Sequence, residues 1–241
     1  MDSPIRLFLI RHAEVEARYQ RVFGGRIDMD LSPAGHGQAQ ALAEHLAQVT
    51  FDAIFASPMK RVRQSLAKLI ERQNPPPVFI EELREVDFGA WTGLTWDEVR
   101  AQFNVSAFQW LDQLDRGLIA GAEPSAAFRQ RIQAALEKIF KHSKDLAEQS
   151  ANVPQESPLT PSLSPRRGEG VRRQQGLKFR SVAVVCHGGV IRMMLALLLD
   201  LPLTKMAGFD IDYASVTVVE RFPHKTEVRL LNFAPWRDWR S

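Results

Sequence analysis

Two short apolar runs, each stopped by a histidine, restrict this chain more than any other feature of it. Ile5–Ile10 ends at Arg11-His12, and Val182–Cys186 ends at His187-Gly188-Gly189. Five or six residues are too few for a buried helix but suit a strand covered on both faces, the kind a parallel sheet needs. Ligands of open α/β sheets bind beyond the carboxyl ends of the strands. Two histidines at two such ends are therefore expected to converge on one ligand.

The other elements fit the same plan. Ser32-Pro33 opens a helix, serine as cap and proline at the first helical position, with Ala39, Leu42, Ala43 and Leu46 on its inward face. Ala53–Ala56 reads as a second strand followed by another Ser-Pro helix start at Ser57-Pro58, and Pro75-Pro76-Pro77 leads to a third strand at Val78–Ile80. Helices are predicted near Thr95–Phe103, Ala107–Leu114, Ser125–Leu146 and Val190–Leu199. Ser215–Glu220 and Val228–Leu231 read as a closing antiparallel pair. Alternating strands and helices predict an α/β fold, a three-layer α/β/α sandwich around a mostly parallel mixed sheet.

Residues 149–177 differ from the rest. They hold four prolines, many Ser and Gln, and almost no large apolar side chains, too little to offset the entropy of ordering them. One domain over 1–241, interrupted by a disordered insertion, is the expectation; long surface loops are tolerated because closure entropy grows slowly with length. The same segment settles a question of charge. A pI of about 9.2 suggests nucleic acid as a partner, but residues 148–178 carry five basic and three acidic residues, which leaves the remainder nearly neutral. No basic face is indicated, and nucleic acid is not expected as a partner. No run approaches the ~18 apolar residues of a membrane span. The first residues lack a secretion pattern, and the single cysteine, Cys186, excludes an internal disulfide. A cytoplasmic chain is expected, with no membrane partner and a homodimer left open.

The chemistry-bearing residues gather at the predicted strand ends. Arg11, His12 and His187 stand there, Arg61 lies in the first turn of the helix after the second strand, and Gly188 lets backbone N–H groups approach an anion at a helix N-terminus. Arginine's fork matches phosphate oxygens and stays charged. Two Arg and two His make a phosphate pocket by chemistry alone. No histidine–carboxylate spacing of the His-Glu-x-x-His kind is present, so no metal is expected.

Arg11-His12-Ala13-Glu14 is similar to the Arg-His-Gly-Glu signature of the histidine phosphatase superfamily, which includes phosphoglycerate mutases and α-ribazole phosphatases. The resemblance continues through Gly25, Asp28, Leu31-Ser32, Gly35 and Gln38-Ala39. It resumes at Ser57–Arg61 and Leu83–Gly93, and closes with Val184–Arg192. It implies that His12 is the nucleophile, that Arg11, Arg61 and His187 clamp the phosphoryl oxygens, and that Glu85 is the proton donor. It implies no cofactor, and a small phosphorylated metabolite as partner. Ala13, Val15 and Arg18 stand where the family usually has Gly, Thr and Asn. Arg18 is thus a candidate contact to a larger or more anionic substrate, or equally a surface arginine. Mutase-like members grip a substrate carboxylate with a Lys and an Arg-Arg pair; here those places hold Trp96 and Gln109-Trp110. The expected activity is phosphomonoester hydrolysis. The alternatives are a cofactor-dependent phosphoglycerate mutase and, from another class, a non-catalytic phosphate-ester binding module. Glu123 is expected to be a solvated loop carboxylate, Cys186 a small core residue, and His36, His45, His142 and His224 exposed.

Overall fold

A computed structural model describes residues 4–71, 75–151 and 179–238. In chain order its strands are β1 (Ile5–Arg11), β2 (Ala53–Ala56), β3 (Val78–Phe79), β4 (Arg180–Cys186), β5 (Val216–Arg221) and β6 (Thr226–Phe233). Its helices are α1 (Pro33–His45), α2 (Lys60–Ile70), α3 (Trp96–Phe103), α4 (Trp110–Asp115), α5 (Ser125–Ala151), α6 (Gly188–Leu198) and α7 (Pro235–Asp238). The six strands form one sheet in the order β3-β2-β4-β1-β5-β6. β1, β2, β3 and β4 run parallel, and β5 and β6 close the sheet antiparallel. The mixed, mostly parallel sheet is the expected one.

The period of two along β1 and β4 builds both cores. Leu7, Leu9, Val182, Val184 and Cys186 face one side, with Phe128, Ile132 and Ile139 of α5 and Val190 and Met194 of α6. Phe8, Ile10, Ala183 and Val185 face the other, with Leu42 of α1 and Val62, Leu66 and Leu69 of α2. Each such aliphatic or aromatic side chain contributes roughly 1.5–3 kcal/mol on burial, which is why the central strands are apolar on both faces. Cys186 is buried in this layer, and burial pushes its thiol up, away from reactivity.

Ser32 caps α1 as expected, accepting from Gly35 N at 2.9 Å. Ser57 does not cap α2. That helix starts two residues past Pro58, at Lys60, and its N-cap residue is Met59, without a side-chain cap. The helix expected over 107–114 divides into a 3₁₀ turn, Ala107–Gln109, and α4. Ser106 and Gln109 form a reciprocal capping box at the start of that turn. α5 runs to Ala151, past the predicted end at 146, so residues 149–151 of the segment set aside are helical. The remainder of that segment lies outside the described residues, apart from 149–151. His36, His142 and His224 are exposed, whereas His45 is half-buried against Phe233.

Candidate active site

His12 is the first residue past β1. Its N–H donates to Cys186 O at 3.0 Å, and its carbonyl accepts from Ala214 N at 3.1 Å. The loop after β1 is thereby tied to β4 on one side and to the approach to β5 on the other. Ala13 N–H donates to Ser65 Oγ at 2.8 Å, and that hydroxyl donates to Arg61 O at 2.7 Å. A single serine of α2 therefore sets the distance between the His12 loop and Arg61. α1 presses on the same loop: a Cβ on Gly35 would stand 2.1 Å from Glu14 O, so only glycine permits this approach.

Hydrogen bonding selects one tautomer of His12. Nδ1 lies 2.8 Å from Ala13 O, which can only accept, and Arg61 Nε, which can only donate, lies 3.2 Å from Nε2. Both contacts are satisfied with the proton on Nδ1 and the lone pair on Nε2. Burial first, then Arg61 and Arg11, hold the pKa well below 6.5 against the opposing pull of the Ala13 carbonyl. His12 is a neutral imidazole whose Nε2 lone pair accepts from Arg61 Nε.

Three guanidinium groups line the cleft around it. Arg61, only 3% exposed, donates from its terminal nitrogens to Ile27 O at 2.8 Å and Gly25 O at 2.9 Å. Arg11 donates to Ile211 O at 2.6 Å and lies 4.0 Å above the Tyr213 ring. Arg192 donates to Gly188 O and Phe209 O at 3.3 and 2.9 Å. None of these hydrogen bonds ends on a carboxylate, and Arg11 Nε and Arg192 Nε are buried without a hydrogen-bond partner among the described residues. Burial above all, with repulsion from Arg11, brings Arg61 and Arg192 down to about 10 against the opposing pull of Glu85, so both stay charged at neutral pH. Cations whose hydrogen bonds end on carbonyls, with only more distant carboxylates to balance them, are costly to bury. The element the site calls for is an anion.

His187 lies behind this group. It is fully buried and does not line the cleft; its ring packs against His12 with centroids 5.2 Å apart, and its Nε2 is 2.8 Å from Ser57 Oγ. Burial first, then Arg61 and His12, keep it well below the ordinary histidine value, and its Nδ1 is buried without a partner. Glu85 stands at the start of α6, where Oε2 accepts from Gly189 N at 3.1 Å and Oε1 from Val86 N at 3.0 Å. A Cβ at position 189 would come within 2.5 Å of Glu85 Oε1. Gly189 thus admits the carboxylate to the start of α6, and a Cβ at 188 would stand 3.2 Å from an Arg192 terminal nitrogen.

The cleft has a volume of about 280 Å³, and Arg11, His12, Arg61, Glu85 and Gly188 all line it. Arg18 does not. It is exposed, pairs with Glu16 at 3.0 Å and lies over the ring of Tyr19, which lines the cleft in its stead. Glu123 corrects a second expectation. Its side chain is mostly buried between Arg131, with contacts of 2.5 and 2.7 Å, and Arg26 at 3.6 Å. Arg131 also donates to Glu82 O and Arg84 O, so this pair fixes the backbone that carries Glu85. Arg192, Tyr213 and Ser57 are site residues the sequence reading did not assign. Arg192 was within reach, four residues after Gly188 and hence on the same face of α6. Ser57 was misread as a helix cap, and Tyr213 carried no local signal.

Comparison with known proteins agrees with this geometry. The family model of the histidine phosphatase superfamily (branch 1) matches residues 7–147 and 168–234. Phosphoserine phosphatase 1 of Hydrogenobacter thermophilus is 25% identical over 228 residues, covering 95% of this chain and 92% of its own. The adenosylcobalamin/α-ribazole phosphatase of Escherichia coli is 22% identical over 230 residues, covering 95% and 96%. Among solved structures, the α-ribazole phosphatase of Shigella flexneri superposes with a TM-score of 0.69 at 22% identity, over 95% of this chain and 96% of its own. The chain belongs to the histidine phosphatase superfamily. It is, by class, a phosphatase.

Proposed function

We propose that the cleft hydrolyses small phosphate monoesters in two steps, through a phosphohistidine on His12, with Glu85 moving the protons. The observation that carries this reading is the neutral His12, its Nε2 held by the buried Arg61 in a cleft that Arg11 and Arg192 also line. In the first step Nε2 attacks phosphorus, the bond from phosphorus to the alcohol oxygen breaks, and Glu85, in its carboxyl form, gives its proton to that oxygen. In the second, Glu85 takes a proton from water, the water oxygen attacks phosphorus, and the P–N bond breaks to return His12 and release inorganic phosphate. The arginines carry the charge on the transferring oxygens, where positioning and electrostatics dominate. His187, buried behind His12 with its Nε2 2.8 Å from Ser57 Oγ, packs against the ring of the nucleophile and positions it. Arg18 takes no part in this reading.

Relatives named for phosphoserine, α-ribazole and glucosyl-3-phosphoglycerate support a small phosphorylated metabolite as substrate. Hydrolysis is favoured over isomerisation because Trp96 and Trp110 line the cleft where a mutase needs cations for a carboxylate. A nucleophile and a proton donor in one cleft count against a pure binding module. We also read residues 1–241 as one catalytic domain, since β1 pairs with β4 and β5 from beyond the segment at 149–177. The test is rapid acid-free quenching with a radiolabelled ester. Acid-labile, base-stable label on the His12 peptide is the expected result; normal turnover with label on another residue overturns the mechanism.

A further inference from the structure

We infer that the mouth of the cleft is a subsite for a planar ring without negative charge, so that the substrates are phosphate monoesters whose alcohol carries an aromatic group. This rests on the phosphatase reading above and adds the substrate class. Away from the arginines the cleft is lined by Tyr19, Trp96, Phe108 and Trp110. Phe108 is 75% exposed, the highest value among the exposed large hydrophobic side chains of the described residues. Its placement is fixed, not loose. The Ser106–Gln109 capping box holds its turn, and its ring meets Trp96 edge-on with centroids 5.5 Å apart. Trp110 is held in the same way against Phe88, at 5.3 Å. An apolar ring left in water next to a phosphate pocket gains on covering it, and edge-to-face or offset contact with a second ring adds to that gain.

Charge narrows the ligand further. Asp210 lines the cleft, is exposed, and has no hydrogen bond or ion pair among the described residues. Of the cations near the mouth, Arg18 is paired with Glu16 and Arg21 lies over the Trp96 ring at 5.2 Å, while Arg192 belongs to the phosphoryl floor. A carboxylate or second phosphate on the leaving group would face the Asp210 carboxylate and aromatic edges. A neutral or cationic ring meets neither obstacle. The volume of about 280 Å³ is at the low end of small-molecule sites, roughly 300–1,000 Å³, and admits a phosphoryl group with one ring.

The experiment is phosphate release by the full chain from four esters of aliphatic alcohols. These are 2-phenylethyl phosphate, ethyl phosphate, phosphoserine and 3-phosphoglycerate. Expected is a kcat/KM for 2-phenylethyl phosphate about tenfold or more above that for ethyl phosphate, with both carboxylated esters below it. Phe108→Ala is expected to lower the ratio of the phenylethyl to the ethyl ester about tenfold. Asp210→Asn is expected to raise the carboxylated esters relative to ethyl phosphate. A preference for phosphoserine or 3-phosphoglycerate, or ratios that neither substitution changes, overturns the subsite while leaving the phosphatase intact. No release from any ester would sink the phosphatase reading, and the subsite with it.

Discussion

The floor and the mouth of the cleft are built on opposite terms. At the floor, His12, Arg61 and His187 are 5%, 3% and 0% exposed, and each is fixed by hydrogen bonds to the loops and strand ends around it. At the mouth, Trp96, Phe108 and Trp110 come from α3, the 3₁₀ turn and α4, within the connection from β3 to α5, while Tyr19 and Asp210 come from loops after β1 and α6, and Phe108 stands in water. The floor is continuous with the sheet, because His12 and His187 directly follow adjacent parallel strands. The mouth depends on the sheet only indirectly. Chemistry common to many phosphate esters belongs on the rigid part, and discrimination among alcohols on the connection, which can differ without disturbing the strands.

Loss of the nucleophile at the floor is expected to act on every ester alike. His12→Ala, the largest effect, should lower kcat by roughly 10⁴-fold or more on aromatic and aliphatic substrates together, with an unchanged circular dichroism spectrum. Turnover that survives with one ester would break the division between floor and mouth. Glu85→Gln sharpens it. With alkyl esters the loss is expected to be about 10²–10⁴-fold, and with p-nitrophenyl phosphate far smaller, since a good leaving group needs no proton. Equal losses would make Glu85 a structural anchor for the start of α6.

Acid should destabilise the floor and spare the mouth. His12 and His187 have folded pKa values well below the unfolded 6.5, chiefly through burial. Below pH 6.5 the unfolded chain binds protons that the folded chain does not, so stability is full above that pH and falls as the pH drops. Each histidine adds at most about 1.4 kcal/mol per pH unit to that fall. Urea titrations between pH 7 and pH 5 should therefore show a shallower decline in His12→Asn than in the parent. The same slope in both would mean that His12 is not held neutral by the fold. The smallest effect is expected from excess EDTA, which should leave turnover unchanged because guanidinium groups supply the charge at the floor. Inactivation reversed by Mg²⁺ would show that the floor is incomplete as drawn.

Strand ends, helix order and the floor residues Arg11, His12 and Arg61 were legible in the sequence because each carries a local signal, whereas Glu85 came only from the resemblance to the family. Apolar runs of strand length, a Ser-Pro helix start and the arginine–histidine junctions depend only on neighbours a few residues away. Arg18 and Glu123 could not be placed that way. Whether an arginine enters a cleft or folds back on Glu16, and whether a loop carboxylate meets Arg131 eight residues on, depends on how the chain packs. Ser57 shows the limit most clearly. Its neighbours predict a helix cap, and its partner His187 is 130 residues away in sequence. The sequence by itself determined the fold class, since burial patterns and strand termini are local properties, and its resemblance to the family pointed to His12 as the candidate nucleophile. Only the tertiary structure decided the tautomer of His12, the third arginine at Arg192, and the aromatic mouth, because hydrogen-bond partners and buried charges are set by residues that meet only once the sheet has formed.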